Sequence, residues 1–188
     1  AIAAKARDHG CKIICDVDLL ARSVNESFFV GITGTNGKST TTALLGKIFA
    51  DAGRDVEIGG NYGVPALELE PLGPEGIYVL ELSSYQLERI PSVALNVAIL
   101  LNISPDHVDR HGSMEGYVAT KKSIFERIKK NGFAIIGMDD SNCRGISLDL
   151  MVKSEPSSPN IIPISTKRRF PGGVYVEGSI LIDDIKNE

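Results

Sequence analysis

The residues best suited to chemistry begin with a short polar run, Gly34-Thr35-Asn36-Gly37-Lys38-Ser39-Thr40, which follows the apolar stretch Phe28 to Thr33. Glycines let backbone N–H groups crowd an anion, and a helix opening at the lysine presents its positive end to the same place. Lys38 supplies a mobile charge for outer phosphates, and the Ser39 hydroxyl suits Mg²⁺. These seven residues are therefore candidates for binding a nucleoside triphosphate. One departure stands out. The usual spacing places a glycine five residues before Gly37, and Ile32 occupies that position. The competing reading is an ordinary glycine-rich turn between strand and helix. The Gly-Lys-Ser-Thr ending and the flanking elements favour phosphate.

Other candidates fall at the ends of apolar runs. Glu81 closes Ile77-Tyr78-Val79-Leu80, and Asp106-His107 follow the run Val97 to Ile103. In an open parallel sheet, ligands sit beyond the carboxyl ends of the strands. A carboxylate there, facing a phosphate loop, is placed for a Mg²⁺ ligand or a water-positioning group; otherwise Glu81 is a solvated strand end. His107 taken alone reads as a structural histidine, and its case rests on the same convergence. Lys121 falls in the middle of an apolar arc formed by Tyr117, Ile124, Phe125 and Ile128 at about 100° per residue. Either its amine snorkels out of that face, or it is held in a partly dry cleft where its pKa drops and the amine becomes reactive. Ser83, Ser84 and Gln86 lie at the same rim and either contact a substrate or cap a helix. Asp109 and Arg110 read equally as a local ion pair.

The elements that must position these residues follow from periodicity and punctuation. Residues 1–10 read as the end of a helix with a glycine stop, Lys12 to Cys15 as a strand carrying Cys11 and Cys15 near one face, and 16–26 as a polar lead into the phosphate-loop strand. A helix spans Lys38 to Ala52, with Ala43, Leu44, Ile48 and Phe49 at helical spacing and Gly53 as its stop. Val56 to Ile58 is a short strand leading into a glycine-rich turn at 59–65. A helix is expected over Ser113 to Lys130, capped by Ser113 and stopped by Gly132, with a strand at Phe133 to Ile136. Beyond Met151 the chain turns Ser/Pro-rich, with short alternating pieces at 161–164, 173–176 and 179–182 that suggest a small antiparallel β extension. Unbroken apolar runs alternating with helices predict an α/β fold with a mostly parallel sheet and helices on both faces.

The totals set outer bounds. With 188 residues there is enough chain for one α/β domain with a full core, or a domain plus fragments of others. Hydrophobic residues make up 43% and charged residues 23%, as in ordinary globular proteins, and a net charge of −4 gives no bulk attraction for nucleic acid. No run approaches the ~20 apolar residues of a membrane span. Three cysteines cannot all pair, so a reduced, cytoplasmic protein is expected, and a monomer. The chain starts and stops abruptly, as a piece of something longer would.

Five blocks, in order, carry a resemblance: Gly34-Thr-Asn-Gly-Lys-Ser-Thr40, Gly59-Gly-Asn-Tyr-Gly-Val-Pro-Ala-Leu67, Glu81-Leu-Ser-Ser-Tyr-Gln-Leu-Glu88, Asn102-Ile-Ser-Pro-Asp-His-Val-Asp-Arg110 and Tyr117-Val-Ala-Thr-Lys121. Together they resemble the Mur ligase family, and the third block is most similar to its D-glutamate-adding branch. The resemblance implies a reaction. ATP phosphorylates the carboxylate of UDP-N-acetylmuramoyl-L-alanine, and the amine of D-glutamate displaces phosphate from the acyl phosphate to form an amide in peptidoglycan precursor synthesis. By the family's pattern Lys38 and its loop hold ATP. Ser39 and Glu81 serve one Mg²⁺, and His107 with a carbamylated Lys121 serves a second. Asn61, Ser83, Gln86 and His107 contact the UDP-sugar. The resemblance further implies that residues 1–24 end an N-terminal UDP-binding domain and that 25–188 are an incomplete central ATP-binding domain. A C-terminal amino-acid-binding domain is then absent, and this chain alone is expected to be inactive. Another Mur-type ligase, a folylpolyglutamate ligase and a non-catalytic nucleotide-binding switch are the alternatives.

Overall fold

A computed structural model describes residues 2–24, 26–153, 155 and 158–185. Eight strands form one sheet in the order β2-β3-β1-β4-β5-β6-β7-β8. They are β1 (Phe28–Thr33), β2 (Val56–Gly60), β3 (Ile77–Glu81), β4 (Leu95–Leu100), β5 (Ile128–Gly137), β6 (Asn160–Ser165), β7 (Val174–Glu177) and β8 (Ile180–Asp183). All neighbours run parallel except β7 and β8. The helices are α1 (Ile2–Asp8), α2 (Asp16–Ser23), α3 (Lys38–Asp51), α4 (Ser84–Leu87), α5 (Val108–His111), α6 (Met114–Lys122) and α7 (Ser141–Val152).

The central strands β1, β3 and β4 are apolar because both their faces are covered. Their side chains alternate between two cores. Phe29, Tyr78, Leu80, Ala98 and Leu100 face the larger core, under α2, α4, α6 and α7. Val30, Ile32, Ile77, Val79 and Ile99 face the smaller one, under α3. From β1 the chain crosses outward to β2 and β3, then returns to β4 on the far side of β1. This reversal opens a crevice at the carboxyl ends of β1 and β4, where the Gly34 to Thr40 loop lies.

Four expectations need correction. Lys12 to Cys15 is irregular rather than a strand, and the supposedly polar stretch after it forms α2, which sinks Val17, Leu20 and Ala21 into the larger core. The face of α3 that packs is Thr42, Leu45, Gly46 and Phe49; Ala43, Leu44 and Ile48 are exposed. The helix from Ser113 ends at Lys122 and passes through a 3₁₀ segment, Ser123–Arg127, directly into β5, so Gly132 lies inside a strand. The 3₁₀ turn keeps Ile124 and Phe125 on the buried side, which is why the helical arc continued to look regular. Finally, β6 extends the parallel sheet and only the β7–β8 hairpin is antiparallel. Part of the Ser/Pro-rich stretch (Ser154, Pro156, Ser157), like Ala1, lies outside the described residues. No helix among the described residues is long and apolar enough to cross a membrane.

Candidate active site

The phosphate loop turns out of β1 into α3 through Gly37, whose φ of +83° only glycine adopts without strain. Lys38 folds back to donate from Nζ to the Thr35 carbonyl at 2.9 Å. The loop is braced from the segment after β4. The Asn102 side chain accepts from the Asn36 N–H at 2.9 Å and donates to the Asn36 carbonyl at 3.0 Å. Thr35 N–H donates to the Asn102 carbonyl at 2.9 Å, and Thr35 Oγ1 donates to the Ser104 carbonyl at 3.1 Å while accepting from its N–H at 3.0 Å. Tyr117 Oη then donates to Thr35 Oγ1 at 3.2 Å. Asn102 and Tyr117 were not singled out as functional in the sequence, because their partners lie 66 and 82 residues away.

Strand parity decides which side chains meet. Glu81 shares the parity of Ile77 and Val79, so it points to the α3 side. There it accepts from Ser39 Oγ at 2.7 Å and from Asn61 Nδ2 at 2.9 Å. Only 2% of Glu81 is exposed, and both hydrogen bonds come from neutral groups. Thr33 shares the parity of Phe29 and points to the α6 side. It donates to the Leu82 carbonyl at 2.7 Å and accepts from Lys121 Nζ at 3.3 Å. Lys121 is 2% exposed, and among the described residues this is the one hydrogen bond of its three-donor ammonium; the Tyr117 ring lies 4.9 Å away. Burial, and secondarily the nearby Lys38 charge, push its pKa down from 10.5 to about 8. The apolar arc thus holds the amine inside the fold rather than letting it snorkel out.

Gly34, Lys38, Asn61, Ser83, His107 and Lys121 line one cleft of about 140 Å³. His107 has a 53% exposed side chain 3.5 Å from Asp106, and its backbone is left-handed at φ +48°, an uncommon state for a non-glycine residue. Thr35, Asn36, Gly37, Ser39, Thr40, Glu81 and Gln86 are not among its lining residues. Gln86 is committed to a capping box with Ser83 at the start of α4, and Thr40 is exposed on α3. Asp109 and Arg110 do not form an ion pair in the described contacts; Arg110 instead reaches Glu88 at 2.9 Å. On the other side of the loop, Asn36, Gly37 and Thr41 border a second cleft of about 470 Å³ that runs past Asn102 and Asp139 to Ser165 and Thr166.

The donor set at Glu81 fits a hard cation: a buried carboxylate and an adjacent hydroxyl at the mouth of an anion-binding loop. Among the described residues no cluster of three or more His, Cys, Asp or Glu forms a complete metal cage. Mg²⁺ needs none, since it takes one or two protein oxygens and completes its shell with water and phosphate. The pair His107 and Lys121 does not fit a cation while Lys121 is an amine; it fits only if that nitrogen carries an anionic group.

Residues 32–166 match the model of the Mur ligase middle domain. The chain is 47% identical over 182 residues to the UDP-N-acetylmuramoylalanine–D-glutamate ligase of Rhodospirillum rubrum, covering 97% of this chain and 38% of the relative. It is 46% identical over 185 residues to the enzyme of the same name from Caulobacter vibrioides, covering 95% and 39%. Among solved structures it is similar to the MurF ligase of Thermotoga maritima in complex with ADP, with TM-score 0.58 and 25% identity over 81% of this chain and 37% of that one. The chain therefore spans about two fifths of the length of the curated relatives it matches. A parallel sheet with its phosphate loop at the β1/β4 crevice, and a family match over most of the length, place this chain in the Mur ligase family.

Proposed function

We propose that this chain is the ATP-binding part of an enzyme that joins D-glutamate to UDP-N-acetylmuramoyl-L-alanine through an acyl phosphate, a cytoplasmic step of peptidoglycan precursor synthesis. The observation that carries the reading is Lys121: a buried amine with a single hydrogen bond, beside Lys38 and across from the Ser39–Glu81 pair. A non-catalytic nucleotide switch needs the phosphate loop but no buried lysine. The names of the relatives support the substrate assignment, and the ADP complex of the Thermotoga protein supports the nucleotide.

A carboxylate is a poor electrophile until one oxygen becomes part of a leaving group, and a phosphoryl donor supplies that change. The α3 N-terminus and Lys38 hold the outer phosphates of ATP, while Asn102 keeps the loop in its receiving shape. The rest of the nucleotide extends into the cleft beside Asn36 and Thr41. Ser39 and Glu81 would hold one Mg²⁺, and His107 with a carbamate on Lys121 a second. When bound, the metal neutralises the charge that accumulates as two anions approach. Lys121 suits carbamylation because a depressed pKa raises the fraction of free amine able to take up CO₂. Asn61, Ser83 and His107 face the acyl substrate across the cleft, and Gln86 fixes Ser83. The amino-acid and uridine contacts are assigned to parts of the enzyme outside residues 25–188, with 1–24 as the junction to the uridine side.

The test is phosphate release by the complete enzyme with UDP-N-acetylmuramoyl-L-alanine, offering D-glutamate, L-glutamate, L-alanine and meso-diaminopimelate in turn. Release with D-glutamate alone is expected; release with another of the four overturns the substrate assignment. Lys121→Ala is expected to be inactive and partly restored by short carboxylates. A ¹³C carbamate resonance from the protein in ¹³C-bicarbonate, absent in Lys121→Ala, reads the modification apart from activity.

A further inference from the structure

Behind the cleft wall sits a group of side chains to which the reaction above assigns no role. Ser84 lines the cleft with Lys38 and Lys121 and is 3% exposed, and among the described residues its Oγ has one hydrogen-bond partner, His111 Nε2 at 3.0 Å. The His111 side chain is itself 2% exposed. Its other nitrogen, Nδ1, lies 3.3 Å from Glu88 Oε1 and 3.4 Å from Thr120 Oγ1. Glu88 has no proton to give, and the Thr120 hydroxyl proton is committed to the Gly116 carbonyl at 2.9 Å. These acceptors beside Nδ1 favour the tautomer with its proton there, which leaves Nε2 a lone pair. It follows that Ser84 donates its proton to Nε2 and turns an oxygen lone pair toward the cleft. Arg110 fixes the second Glu88 oxygen at 2.9 Å, and the His111 ring packs 5.4 Å from Tyr117.

Serine, histidine and carboxylate in this order are the arrangement that moves a proton away from a hydroxyl. We propose that Ser84, His111 and Glu88 form a proton relay that accepts the proton of the incoming amine in the ligation step. This rests on the acyl-phosphate reading above. Amide formation needs such an acceptor, because a bound ammonium has no lone pair. The ammonium proton passes to Ser84 Oγ as the Ser84 proton passes to His111 Nε2, and the imidazolium is held by Glu88. The freed amine attacks the acyl carbon: the C–N bond forms, the C–O bond to phosphate breaks, and phosphate leaves with the electron pair and takes the second nitrogen proton. His111 then releases its proton to water. Ser84 touches the reacting nitrogen and is catalytic; His111 and Glu88 act through it as positioning residues.

The complete enzyme tests this with two products from one acyl phosphate: the amide formed with the amino acid, and the hydroxamate formed with hydroxylamine, which arrives as a free base. His111→Gln is expected to lower the ratio of amide to hydroxamate by about 100-fold. Ser84→Ala, which removes one oxygen and is safe for packing, is expected to do the same, with no further loss in the double variant. The groups facing His111 are Tyr85 from α4, Glu88 just after it and Tyr117 from α6, with Arg110 of α5 on the far oxygen of Glu88. An unaltered ratio in Ser84→Ala or in His111→Gln overturns the relay. Wild-type enzyme that yields neither product refutes the acyl-phosphate reading instead, which keeps the two failures apart.

Discussion

Replacing Lys121 with methionine removes a buried charge while keeping most of the side-chain volume. The amine titrates at about 8 in the folded chain against 10.5 in the open one, so at neutral pH, at about 1.4 kcal/mol per unit, holding it as a cation costs roughly 3 kcal/mol. That is a large fraction of the ~5–15 kcal/mol stability of a typical domain. The sign of the pH dependence follows. Between about 8 and 10.5 the unfolded chain binds the proton and the folded one does not, so this group makes stability rise with pH by up to ~1.4 kcal/mol per unit. Tyr78, Tyr117 and Cys15 have pKa values raised by burial and push the other way in alkali, but wild type and variant share them. Urea unfolding of both proteins at pH 7 to 10, in CO₂-free buffer with reductant, isolates the lysine. Lys121→Met is expected to be more stable by about 2–3 kcal/mol at pH 7, or roughly 5–10 °C in Tm. The gap should close above pH 10. A variant that is less stable at pH 7, or that keeps the wild-type difference at every pH, refutes the desolvation argument.

Two further substitutions probe how the loop is held. Asn102→Ala removes both side-chain hydrogen bonds to the Asn36 backbone, and ATP binding by the complete enzyme is expected to weaken about tenfold, as for ~1–2 kcal/mol of lost preorganisation; an unchanged Kd by calorimetry would show that the loop holds its shape without the brace. Gly137→Ala places a Cβ 1.9 Å from the Leu101 carbonyl oxygen, a backbone atom that no rotamer change can move. Strands β4 and β5 must part there, and a loss of about 1–3 kcal/mol in urea unfolding is expected; equal or greater stability would contradict the packing.

Much of the fold was legible because its signals are local. The strands β1, β3 and β4 show as apolar runs since parallel strands covered on both faces need no polar alternation. The phosphate loop shows because glycine, lysine and serine are needed there for reasons internal to the loop. Lys121 showed as a polar residue inside an apolar arc. The misreadings came where a partner outside the segment decides. Gly46 sits on the packed face of α3 because Ile58 of β2 presses against it, with a Cβ there lying 2.0 Å from Ile58 Cδ1. The more hydrophobic Leu44 and Ile48 are left outside. A wheel drawn through Ile128 stays in phase across a 3₁₀ turn, so periodicity alone could not end α6 at Lys122.

The sequence by itself determined the chemistry on offer: an anion-binding loop, a carboxylate at a strand end and a lysine placed within an apolar helical arc, each set by residue type and short spacing. Tertiary structure alone decided which of these meet. Glu81 reaches Ser39 because both lie on the α3 side of the sheet, and Lys121 reaches Thr33 because both lie on the α6 side. The Ser84–His111 contact joins residues 27 apart, on two four-residue helices. No local pattern encodes such a contact, because its distance is fixed by how α4, α5 and α6 pack on the sheet.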